Sequence, residues 1–316
     1  MILPVSTVIP TRNRSAPLQR TLNSLKSQGT LPAELIVVDA SDDDTTREML
    51  TSFASLWEGQ VEVLYLRADS PGAASQRNQG VATATQPVIA FFDDDILFQP
   101  HCLDLLWQVL QSSADIGGVN ATITNQQYHP PGRASRCVYR LLAGNKPDYA
   151  GQILGPAVNL LPADSDAYPE QVPVEWLNTT CTLYRREALP DPPFPSHFTG
   201  YSLMEDLTLS ATVARQWKLF NARTARIFHD SQPGSHKSDP VALAEMELLN
   251  RYYVTTQVLG RRGFRMLMKL ALWESFQLLS LVRSTPSPGL LARTLWGKIR
   301  AIPRCYQMRE QSLSNP

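Results

Sequence analysis

The first hundred residues alternate between continuous apolar runs and segments whose apolar positions recur every three or four residues. "VSTVIPT" (5–11), "AELIVVDAS" (33–41) and "VEVLYLRA" (61–68) are apolar and rich in β-branched residues. The first two have the length and composition of buried strands, and the third reads as a further strand. Between them, "SAPLQRTLNSLKSQ" (15–28) spaces Leu18, Leu22 and Leu25 along one helix face, and "DTTREMLTSFASLW" (44–57) returns to a helical period. The small-residue stretch "GAASQRNQGVATAT" (72–85) predicts a third helix, and "VIAFF" (88–92), placed after Pro87, a fourth strand. Strands alternating with helices predict an α/β fold with a doubly wound, mostly parallel, Rossmann-like sheet and right-handed crossovers.

From Asn120 to about Val174 the pattern weakens. "NQQYHPPGRASR" and "LLPADSDAYPEQVP" are rich in Pro, Gly and polar residues and read as loops with short elements. Order resumes in "VEWLNTTCTLYRREAL" (174–189), a strand followed by a turn. "SLMEDLTLSATVARQW" (202–217) places Leu203, Leu207, Ala211 and Ala214 on one face of a helix that begins near Glu205 and Asp206. "ARIFHD" (225–230) is a last strand with His229 at its end. Residues 264–283 are the most membrane-like, yet Lys269 and Glu274 interrupt them, and Arg261, Arg262, Arg265 and Arg283 flank them. The segment is either an interfacial helix drawn to anionic lipid or a buried helix of a helical C-terminal extension. The expected division is a domain over 1–235, with a nucleotide-binding half (1–118) and an acceptor-side half (119–235), then a mostly helical region over 236–316.

Composition narrows the field. Equal numbers of basic and acidic residues, 29 of each, argue against a nucleic-acid partner. The four cysteines, Cys102, Cys137, Cys181 and Cys305, have neither paired nor zinc-like spacing, which suits a reducing compartment. The opening "MILPVSTVIPTRNR" reads as a first strand rather than a secretory signal, so a cytoplasmic location is expected.

The chemistry gathers at "VIAFFDDDILF". Asp93, Asp94 and Asp95 follow a buried strand, and in open α/β sheets ligands bind at the carboxyl ends of strands. Crowded carboxylates raise one another's pKa unless a cation or hydrogen-bond donors offset them. Alternate carboxylates such as Asp93 and Asp95 suit Mg²⁺ or Mn²⁺, completed by substrate phosphates and water. An acidic turn capping the helix after Pro100 is the plainer reading.

Seven separated features, in order, resemble the inverting family 2 of nucleotide-sugar glycosyltransferases, which have the GT-A fold. They are "VIPTRNR", Asp39 in "LIVVDASDDDT", "GAASQRNQG", "FFDDD", "WLNTTCTLYRRE", "GYSLMEDLTLSATVARQW" and "ARIFHD". The resemblance implies that Pro10, Thr11 and Arg12 turn against the nucleotide and that Asp39 accepts hydrogen bonds from base or ribose. Arg77, beside Asn78, then approaches the diphosphate or pairs with a neighbouring carboxylate. Asp93 and Asp95 fall on the family's D-x-D positions, with Asp95 the more direct ligand of a divalent metal, Asp93 on metal or ribose, and Asp94 the variable middle residue beside the cofactor. Asp206 takes the role of catalytic base and Glu205 orients the acceptor or its loop. His229 is a third metal ligand or a structural histidine, with His236, and Lys237 beside it, competing. Asp42, Asp43 and Asp44 cap the next helix; Ser41, Asp43 and Thr45 keep the family's turn, without its customary glycine. Trp176, Arg185 and Arg186 fit the acceptor-side strand. The activity implied is metal-dependent, inverting hexosyl transfer from a nucleotide-diphospho-sugar to a glycan or glycolipid acceptor. It implies cell-envelope synthesis at the inner face of the plasma membrane. Two other classes share acidic strand ends: a non-catalytic nucleotide-sugar-binding module, and a metal-dependent nucleotidyltransferase or phosphohydrolase. The second lacks its Gly-rich phosphate loop here.

Overall fold

The computed structural model describes residues 1–57, 59–231, 239–285 and 287–314. It opens with β1 (Ile2–Thr11), α1 (Ser15–Lys26), β2 (Leu31–Asp39), α2 (Thr45–Ala54), β3 (Glu62–Arg67), α3 (Ala73–Thr83) and β4 (Val88–Phe92). Then follow β5 (Ile96–Phe98), α4 (Cys102–Gln111), β6 (Ile116–Ile123), α5 (Arg133–Ala143), and the short strands β7 (Ile153–Leu154), β8 (Val158–Asn159) and β9 (Gln171–Pro173). The chain ends with β10 (Cys181–Arg185), α6 (Glu205–Val213), β11 (Lys218–His229), α7 (Pro240–Tyr253), α8 (Phe264–Ser284) and α9 (Pro288–Ser314).

Two compact units share these elements. The first comprises Met1–Tyr128 and Leu161–Gln232, the second His129–Leu160 and Pro233–Pro316. The first holds a sheet in the order β3-β2-β1-β4-β10-β6-β11-β5, with β9 paired to β11. Strands β3, β2, β1 and β4 are mutually parallel. β10 runs antiparallel to both β4 and β6, so β6, and β11 parallel to it, share the direction of β4.

Both faces of the central strands are buried, which is why they read as unbroken apolar runs. Leu3, Val5 and Ile9 of β1 join Leu18, Leu22 and Leu25 of α1 and Phe53 of α2 in one core. Val8 points the other way, towards α3, because successive strand side chains alternate. There the small residues of α3 have a purpose: a Cβ on Gly80 would lie 2.4 Å from Val8 Cγ1. Two glycines also explain why β6 escapes a pattern search. A Cβ on Gly117 would meet Trp217 at 2.4 Å, and one on Gly118 would meet the Tyr184 ring at 2.7 Å.

The second unit is mostly helical. Leu142, Tyr149, Leu154 and Val158 pack with Trp273 of α8, while Leu248, Leu249 and Tyr252 of α7 pack with Leu270 and with Ala301 of α9. Helix α5 forms where Pro- and Gly-rich sequence reads as loop; it starts directly after that Pro-Pro-Gly and exposes most of its surface.

Candidate active site

Strand direction assembles the site. Parallel β1, β2 and β4 deliver Thr11, Asp39 and Asp93 to the same sheet edge, and β11 brings His229 there. Antiparallel β10 instead begins at this edge, so Thr180 stands beside the acidic turn, where its carbonyl accepts from Asp93 N–H at 3.0 Å. The three aspartates make the reversal between β4 and β5.

Each aspartate has a different environment. Asp94 is buried; its carboxylate accepts from Thr11 Oγ1 at 2.7 Å and lies 3.0 Å from Arg14 Nη1. Burial pushes it up to about 7, against the pull of Arg14 and Thr11. Asp95 contacts Arg14 Nη2 at 2.5 Å and His229 Nε2 at 3.1 Å. Burial alone would raise its pKa, but His229 and Arg14 together hold it below the ordinary carboxylate value. Asp93 accepts from Arg77 Nη2 at 2.7 Å.

Arg77 joins the two halves of the site. Its buried guanidinium reaches Asp93 from α3 and, through Nη1, Glu205 Oε1 at 3.3 Å. It also lies over the Phe194 ring, 5.8 Å from the centroid. Arg77 thus pairs with a carboxylate from each half. Glu205 and Asp206 open α6, after Met204 in a left-handed conformation (φ +71°). An adjoining backbone bridge between Gly72 and Gly200 holds the preceding loop beside the start of α3. Burial raises the pKa of both acids; the Asp206 charge adds to this at Glu205, while Arg77 opposes it at both.

Asp39 is fully buried. Its Oδ1 accepts from Ser41 N–H at 2.9 Å and from the Ser41 hydroxyl, and Tyr65 OH donates to Oδ2 at 3.1 Å. Pro10, Thr11 and Asp39 therefore lie at adjacent strand ends, in register across β1 and β2. Arg12 points elsewhere: it is exposed and 3.9 Å from Asp42. Arg14, two residues on, is the arginine that enters the acidic cluster, and sequence reading missed it because a loop side chain's direction is set by tertiary packing. Asp43, not Asp44, supplies the side-chain bond at the start of α2, to Thr45 N–H at 3.1 Å.

Asp93, Asp95 and His229 each place one donor atom within 4.8 Å of the others. Two carboxylates with an imidazole are a donor set that suits Mn²⁺ or Mg²⁺, so by their chemistry these residues fit a divalent ion. Gln126 Nε2 lies 2.8 Å from His229 Nδ1. Turned so that its amide oxygen accepts from Nδ1–H, Gln126 would hold the tautomer that leaves the Nε2 lone pair free for a ligand. His229 is further clamped by Asn125, whose Oδ1 accepts from its N–H at 3.0 Å.

Arg185 and Arg186 do not reach this edge. β10 runs away from it, and they bond the carbonyls of Leu110, Ile116 and Gln86 at the far side. Trp176 is buried ahead of β10. His236 and Lys237 lie outside the described residues.

The model of glycosyl transferase family 2 matches residues 6–190, more than half of the chain. Validoxylamine A glucosyltransferase of Streptomyces hygroscopicus subsp. limoneus is 39% identical over 101 residues, 31% of this chain and 21% of that protein. Glycosyltransferase AglE of Haloferax volcanii is 32% identical over 100 residues, 31% of each. The chain thus matches about a fifth to a third of the length of these curated relatives. Among solved structures, the mannosyltransferase PcManGT of Pyrobaculum calidifontis, in complex with GDP-Man and Mn²⁺, covers 98% of this chain and 79% of its own, with 14% identity and a TM-score of 0.55. TarS 1–349 of S. aureus gives 16% identity, 96% and 82% coverage and a TM-score of 0.55. The shared architecture is the GT-A fold.

Proposed function

The chain belongs to glycosyl transferase family 2, and on that premise we propose that it moves a hexosyl group from a nucleotide-diphospho-sugar to an acceptor hydroxyl with inversion. The observation that carries this is the Arg77 bridge from Asp93 to Glu205, which couples the acidic turn to the start of α6. The nucleoside lies along the edge formed by Pro10, Thr11 and Asp39. Asp206 takes the proton from the acceptor hydroxyl as its oxygen attacks the anomeric carbon, on the side opposite the leaving diphosphate. Burial raises its basicity, which suits a general base near neutral pH. Glu205, held by Arg77, fixes the loop that presents this base. Asp93, Asp95 and His229 would hold Mg²⁺ or Mn²⁺, whose charge would offset that of the departing diphosphate. An inverting transfer needs no second carboxylate as acid, because a nucleoside diphosphate leaves as an anion.

The acceptor proposed is a glycan or glycolipid of the cell envelope, built at the cytoplasmic face. PcManGT in complex with GDP-Man and Mn²⁺ supports a metal-dependent donor site by its fold alone. Calorimetric titration of UDP and GDP with and without Mn²⁺, followed by donor hydrolysis over a nucleotide-sugar panel, tests the reading. Metal-dependent binding with turnover of one donor is expected; binding without turnover of any donor, with or without acceptors, would overturn it.

A further inference from the structure

Helices α8 and α9 each bury one side and leave the other apolar. On α8, Phe264, Met268, Leu279 and Val282 fall on one stripe of the helical period, with Phe264 76% and Leu279 69% exposed. Leu270, Trp273 and Glu274 occupy the buried side. On α9, Leu295, Trp296, Ile299, Ile302 and Tyr306 form a second exposed stripe opposite buried Gly297 and Ala301. Lys298 of α9 bonds Glu274 of α8, marking the seam between the helices. Leu270 and Ala301 share a core on the inner side of that seam, so both stripes lie on its outer side and form one face.

Monomeric proteins seldom leave such a face to water. Its borders are cationic. In helical projection Arg265 and Arg283 flank the α8 stripe on the side away from α9, and Arg293, Arg300 and Arg304 flank the α9 stripe on the side away from α8. The last three pair with Asp239 and Glu245 yet remain more than half exposed. The second unit as a whole carries 16 Lys and Arg against 6 Asp and Glu, although the full chain is neutral. Among the described residues no helix is long and apolar enough to cross a membrane.

We propose that the α8–α9 face docks, lying in the plane of the interface, on a bilayer containing anionic lipid. Apolar stripes enter the acyl boundary, Trp296 and Tyr306 sit at headgroup depth, and the arginine borders meet anionic headgroups. A second copy of this chain is a poorer occupant, because its like-charged borders would repel these. The inference does not rest on the transfer reaction.

Flotation with vesicles of phosphatidylcholine alone, or of equal parts phosphatidylcholine and phosphatidylglycerol, tests it. The intact chain should float with the anionic vesicles, far less with neutral ones, and more weakly as salt rises. Trp296→Glu and Leu279→Glu, both at exposed positions, should each lower vesicle affinity about tenfold or more while leaving circular dichroism and thermal midpoint unchanged. Absence of flotation would overturn the proposal, as would equal binding to both vesicle types. So would a vesicle-free dimer, seen by light scattering, that Trp296→Glu dissociates. None of these readouts needs a donor, so failure here is separable from failure of the transfer reading.

Discussion

Replacing Arg77 by methionine keeps much of its apolar volume over Phe194 and removes only the cation. Asp93 and Glu205 then face each other's charge without the guanidinium at 2.7 and 3.3 Å. Deleting one partner of a buried ion pair costs about 3–5 kcal/mol. Asp93 retains 24% of its side-chain exposure, so water relieves part of this and the lower end, about 3 kcal/mol, applies. For a unit of this size that lowers the thermal midpoint by roughly 6–12 °C at neutral pH. The pH dependence is the sharper test. Burial already raises Glu205 and Asp206 above their unfolded values, and losing Arg77 raises them further. An acid with a raised folded-state pKa binds more protons folded than unfolded, so stability falls as pH climbs from the unfolded pKa through the folded one. Thermal melts of R77M against the parent should therefore diverge on the alkaline side of this window and converge as pH falls towards the ordinary carboxylate range. Equal midpoints at neutral pH, or a difference independent of pH, would refute the bridging role.

Three further outcomes are expected. Asp206→Asn should leave nucleotide binding nearly intact and lower transfer by on the order of 10²-fold or more, measured as sugar transferred per enzyme at saturating donor. Asp95→Ala should remove the Mn²⁺-dependent part of nucleoside diphosphate affinity by calorimetry; a variant that still gains affinity from Mn²⁺ would exclude Asp95 as ligand. Gly80→Ala should destabilise the chain by about 1–3 kcal/mol in urea melts, because the new methyl would sit 2.4 Å from the buried Val8 side chain.

The sequence exposed the first four strands well because β1, β2 and β4 are buried almost throughout and α1 and α2 each turn one apolar side to them. Predicted and observed elements agree to within a few residues from β1 to β4. It was blind where tertiary packing sets composition. β6 contains Gly117 and Gly118 because Trp217 and Tyr184 fill the space above them, and no local signal reports such neighbours. Charged residues divide the same way. The acidic positions at strand ends were legible because strand direction fixes where their backbone goes, whereas Arg14 and Gln126 sit on loops whose course only the folded chain defines. Arg77 was visible as a residue, yet its link to a carboxylate 128 positions away was not.

The chain visits its helical unit twice, leaving the sheet after Tyr128, returning at Leu161 and leaving again after Gln232. A fragment stopped at residue 232 would thus keep Leu142, Tyr149, Leu154 and Val158 while discarding Trp273, their packing partner. Such a fragment would be sticky rather than minimal. A trimmed, soluble sheet-bearing piece calls for removal of residues 129–160 as well.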